Sequence, residues 1–117
     1  MKTLDPKQVS DFVTNLGPAL GCDHTYNPIF PEGRRDVCAV RRLAENGRDD
    51  GFDTIYLVWA NSNGELTYKK IADSRSTKDY ISIDSIESKE NGSVVVRFSS
   101  GGSFSGTPWE SSADVEL

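Results

Sequence analysis

Cys22, Asp23 and His24 form the one short stretch in which a thiol, a carboxylate and the chain's single imidazole meet. With Cys38 nearby, Cys22, His24 and Cys38 would supply three zinc ligands, and Asp23 or Asp36 a fourth. Structural zinc sites pair their ligands at gaps of two to four residues and repeat that pairing in a second knuckle. This chain has one C-x-H and a lone distant cysteine, so the metal pattern is weak and no cofactor is implied. A Cys-His nucleophile pair is equally poorly set up, because such pairs converge from separate elements. Serine chemistry would have to borrow His24 and has no Gly-x-Ser-x-Gly elbow to present a nucleophile.

A second chemistry-bearing stretch is basic. Arg34, Arg35, Arg41, Arg42 and Arg48 place five of the chain's seven arginines within fifteen residues, with Asp36 and Glu45 as the only acids from 34 to 48. Guanidinium forks suit carboxylate and phosphate partners. They are also satisfied by neighbouring acids, here Asp49, Asp50 and Asp53. Residues 45–53 crowd oxygen ligands around two glycines, yet lack the alternate-position order of a calcium loop. Residues 99–110 form a Ser/Gly-rich segment ending in Trp109 and Glu110. Its glycines would let backbone amides approach an anion, but the lysine and hydroxyl of a phosphate loop are absent. Arg34, Arg35, Arg41, Arg42 and Trp109 are therefore the candidate binding residues, and Cys22, His24 and Cys38 the weaker metal candidates.

Residue patterning then defines the elements that must carry these groups. Asp5 is an N-cap with Pro6 at the first helical position, and Val9, Phe12, Val13 and Leu16 make one apolar stripe. The spacing predicts an amphipathic helix over about 5–16, stopped by Gly17-Pro18. Residues 18–35 hold three prolines and two glycines without a period and read as an irregular connection anchored by Tyr26, Ile29 and Phe30. Residues 36–46 fit either a capped helix or a strand, and the polar turn after them favours a strand paired with the next. Residues 52–60 carry apolar groups on both faces, as a central strand covered on both sides would. Asn63-Gly64 and Asn91-Gly92 signal two hairpins. Residues 66–72, 80–86 and 94–98 alternate as strands, a further pairing spans Gly101-Gly102, and 113–117 would add an edge. The expected fold is one α+β domain over 1–117: the helix packed on a five- or six-stranded, mainly antiparallel meander occupying 36–117.

The whole-chain arithmetic narrows the function class. The 117 residues carry eighteen acidic and thirteen basic side chains, a net charge of −5, with 36% hydrophobic and 26% charged residues. A chain of this length buries about two thirds of its unfolded surface and folds without staples. An acidic surface disfavours sequence-blind contact with nucleic acid or anionic lipid. Nothing near the N-terminus resembles a secretory h-region, and the longest apolar run, 55–60, is far too short for a bilayer. Two cysteines without a leader point to a reducing, cytoplasmic setting. The sequence thus favours a small, soluble, non-enzymatic binding module, its partner another protein or a small anionic ligand. The alternatives are a metal- or thiol-dependent protein centred on Cys22 and His24, and an anion binder at 99–110.

Overall fold

The structure, a computed structural model, describes residues 3–16, 22–45, 52–73, 80–100 and 108–117. The helix α1 spans Pro6–Thr14. Asp5 caps it in extended conformation and accepts from the Lys7 amide at 3.2 Å, with Pro6 in the first turn. Its stripe turns inward as the spacing predicts: Val9 and Val13 are fully buried, while Phe12 and Leu16 pack on the same cluster. The helix stops two residues short of the expected end. There Thr14 Oγ1 donates to the Ser10 carbonyl and Asn15 Nδ2 to the Asp11 carbonyl, each at 2.8 Å. Such local side-chain bonds compete with continuation of the helical ladder.

Among the described residues seven strands follow: β1 (Cys22–Thr25), β2 (Val37–Glu45), β3 (Phe52–Ala60), β4 (Leu66–Asp73), β5 (Ser82–Ser88), β6 (Val94–Ser100) and β7 (Trp109–Val115). All pairings are antiparallel. They do not form the single five- or six-stranded meander expected. They form two sheets, β1-β2-β3-β4 and β5-β6-β7. The reason lies in β2 and β3, which are apolar on both faces. Cys38, Val40, Tyr56 and Val58 meet α1, whereas Val37, Ala39, Ile55 and Leu57 meet Ile86, Val94, Val96, Phe98 and Val115 of the second sheet. One nine-residue helix covers one face, so the C-terminal strands must leave the first sheet and fold over the other. The result is three layers, helix on sheet on sheet.

The connection read as irregular over 18–35 contains β1, and beyond it Ile29 and Ala39 exchange two 2.9 Å backbone bonds. These four strand residues have no apolar alternation. Their pairing is selected by β2, whose outer edge needs partners for its backbone groups. Within segment 36–46 the residues Val37–Glu45 form a strand, β2.

Both Asn-Gly turns are three-residue loops rather than two-residue ones. Gly64 and Gly92 take the left-handed conformation, at φ +80 and +89, and donate to the carbonyls of Asn61 and Lys89. Bulges occur in β4 opposite Ile55/Tyr56 and in β5 between Ile83 and Ser85. The second lets Ile83 and Ile86, three apart, both pack on the inter-sheet core. Among the described residues no helix is long and apolar enough to cross a membrane, which says nothing of strands.

Leu57 is fully buried between the sheets. Leu57→Ala should destabilise the protein by about 2–5 kcal/mol. Urea unfolding followed by circular dichroism and by tryptophan fluorescence should show one coincident transition, since both sheets share that core.

Candidate functional site

Strand alternation scatters the arginines instead of gathering them. Arg41 and Arg42 are adjacent on β2 and so leave opposite faces of the first sheet. Arg41 grips Asp53 through Nε and Nη2, both at 2.8 Å, and lies over the Tyr26 ring with its guanidinium carbon 4.4 Å from the centroid. Asp53, on β3, also accepts the Ile81 amide at 2.7 Å. Burial raises the Asp53 carboxyl above its ordinary value, while Arg41 and the Ile81 amide pull the other way. Desolvation likewise works against the Arg41 charge, but the bond and charge of Asp53 more than offset it and hold its pKa up. Three N–H donors, two from Arg41 and one from Ile81, converge on this carboxyl group.

Arg42 is 4% exposed and sits opposite Thr25 and Thr54. Arg34 holds Asp36 at 2.8 and 3.2 Å and reaches Ser88 Oγ at 3.0 Å and the Gly92 carbonyl at 2.9 Å, tying β2's entry to the β5–β6 hairpin. Arg35 is exposed and lies over Phe30 at 4.8 Å. Arg48 falls outside the described residues. Of the four arginines described in segment 34–48, then, Arg34, Arg41 and Arg42 point into the protein and Arg35 is exposed.

The candidate metal residues are also separated. Cys22 pairs with Glu45 and His24 with Leu43, whereas Cys38 pairs with Val58. Seven and five residues along β2 put Cys38 roughly 23 and 17 Å away at the rise of an extended strand. His24 is exposed, its ring edge-on to Tyr26 at 4.4 Å, on the face that carries Arg41. Cys38 is free and fully buried on the helix side. Among the described residues no three His, Cys, Asp or Glu side chains converge as metal ligands.

Trp109 has a different setting. It opens β7, half-buried, with its ring nearly perpendicular to Phe98 of β6 at 6.1 Å between centroids. Together with Ile71 and Ala72 of β4, Ile81 and Phe98, it lines an open groove of about 610 Å³ where the two sheets part. Lys70, Asp73 and Ser111 complete the lining, and the Lys70 ammonium is held by Asp73 at 3.1 Å. The groove offers apolar surface flanked by a neutralised ion pair and a hydroxyl, which suits binding an uncharged body. Of the groove's lining, Trp109 alone was singled out in the sequence. Ile71 and Ala72 are adjacent and break the alternation of β4, and that break was the available signal. Of segment 99–110, residues 101–107 fall outside the described residues, and the anion-loop expectation lies there too.

Asp53→Asn leaves the Arg41 charge without its counterion and should cost about 3–5 kcal/mol by chemical denaturation. The double replacement Arg41→Met with Asp53→Leu should recover most of that loss. Burial raises the Cys38 thiol from 9.0 to about 12. In a Cys22→Ser variant at pH 8, a thiol reagent should react only after unfolding. Because the folded-state pKa is the higher one, the associated stability is fully present below pH 9 and is lost as pH rises from 9 through about 12. No protein-family model, curated protein or solved structure matches this chain.

Proposed function

We propose that the protein is a small non-enzymatic binding module that receives an apolar part of its partner in the groove between β4 and β7. The observation that carries this reading is the convergence of Trp109, Phe98, Ile71, Ala72 and Ile81 on one open depression. Its volume falls in the range of natural ligand sites, and its polar groups lie among a mainly apolar lining. Aromatic surface of this kind supplies contact area at low entropic cost. The anionic-ligand version has less support, because Arg34, Arg41 and Lys70 already hold Asp36, Asp53 and Asp73. The zinc or thiol version has less support still, given the backbone register that parts Cys38 from Cys22 and His24. A reducing, cytoplasmic setting accords with Cys38 remaining a free thiol.

An NMR titration with a neutral aromatic probe such as indole tests the groove. The methyls of Ile71 and Ile81 and the indole N–H of Trp109 should shift together. Trp109→Leu, which keeps apolar contact with Phe98, should weaken the interaction by roughly three- to tenfold. Shifts gathered around Arg35 or Arg41 on adding phosphate, with the groove silent, would overturn the assignment in favour of an anion site.

A further inference from the structure

The two sheets end in four edge strands, and three of them carry features that discourage a further strand. β1 is only four residues long. β4 presents exposed Lys69 and Lys70 and is broken by a bulge. β5 is broken by a bulge at exposed Asp84. Short length, lysines and bulges are the devices by which proteins blunt sheet edges. β7 has none of them. Its seven residues pair with β6 in unbroken register from Trp109 opposite Ser100 to Val115 opposite Val94, and they include no Lys, Arg or Pro. Among the described residues no strand lies on its far side.

Side-chain alternation along β7 sets what an added strand would meet. Trp109, Ser111, Ala113 and Val115 share the face directed at the inter-sheet space, where Trp109 and Ser111 line the groove. Glu110, Ser112 and Asp114 share the outer face and are exposed, and the Lys89 ammonium already holds the Asp114 carboxylate. A second copy of this chain is a poor occupant, because each copy brings a net charge of −5 to the contact. A strand bearing a cation opposite Glu110 meets the acidic end of this face instead.

We infer that β7 accepts an extended segment of another protein as an added antiparallel strand, its apolar residues entering the groove and a basic residue on its outer face lying opposite Glu110. Main-chain hydrogen bonds hold such a strand, and the alternate side chains give it specificity. The inference rests on the groove reading above and names the partner's chemistry.

The test uses the full chain and a capped seven-residue peptide of alternating Val and Lys. Hydrogen exchange followed by NMR should show new protection at alternate β7 amides. Replacing Lys by Glu in the peptide should weaken binding about tenfold, because a like charge then faces Glu110 across the ladder. N-methylation of alternate peptide residues along one edge should abolish binding. Glu110→Lys, at an exposed position with circular dichroism checked against the wild type, should weaken the Lys peptide and strengthen the Glu peptide. Binding without protection of β7, or binding indifferent to N-methylation, overturns the inference. So does a wild-type dimer that protects β7 without peptide. If the peptide fails while indole still shifts Ile71, Ile81 and Trp109, strand addition falls and the groove reading stands; if both fail, both fall.

Discussion

The architecture depends on one constraint: β2 and β3 are apolar on both faces and must be covered twice. Val37, Ala39, Ile55 and Leu57 project one way and Cys38, Val40, Tyr56 and Val58 the other. Nearly all of these side chains are fully buried. The hydrophobic driving force is proportional to apolar area removed from water, and an open sheet would forfeit half of it. The helix stripe is wide enough for one face only. The second sheet exists to cover the other, and everything at its margins, the groove included, follows from where that cover ends.

Polar groups at the same interface are held by full satisfaction. Arg41 and Asp53 meet at the end of the sandwich where Tyr26 stacks on the guanidinium and the Ile81 amide completes the carboxylate. Ile81 also belongs to the inter-sheet core, so the pair fastens the chain's entry into the second sheet as well as two strands of the first. Arg34 performs a related task at the opposite end of β2, joining Asp36 to the β5–β6 hairpin. A buried charge survives only when paired and hydrogen-bonded, and these two are. That is why a locally basic segment in an acidic chain does not make a basic surface.

The candidate site was only partly legible in the residues. Trp109 stood out as an aromatic beside a Ser/Gly-rich segment, and it does line the groove. Ile71, Ala72, Ile81 and Phe98 read as ordinary strand residues, because what distinguishes them is their place along the line where the two sheets diverge. The arginine band misled for the opposite reason. Proximity in sequence suggested one patch, whereas adjacent residues on a strand point to opposite sides. Cys22, His24 and Cys38 were likewise close in number and apart in register. β1 escaped notice because a four-residue edge strand needs no pattern of its own when β2 supplies unpaired backbone groups.

Local physics determined the elements whose signals are local. The cap at Asp5, the stripe through Val9 and Val13, the left-handed glycines 64 and 92 and the two-sided apolar pattern of β3 are each dictated by neighbours within a few residues. So was the charge balance that argues against nucleic acid. Tertiary structure alone decided that the strands divide into two sheets, that Arg41 takes Asp53, and that β7 ends its sheet beside the groove among the described residues. Those outcomes depend on which distant surfaces meet, and pairwise burial between residues dozens of positions apart leaves no periodic trace in the chain.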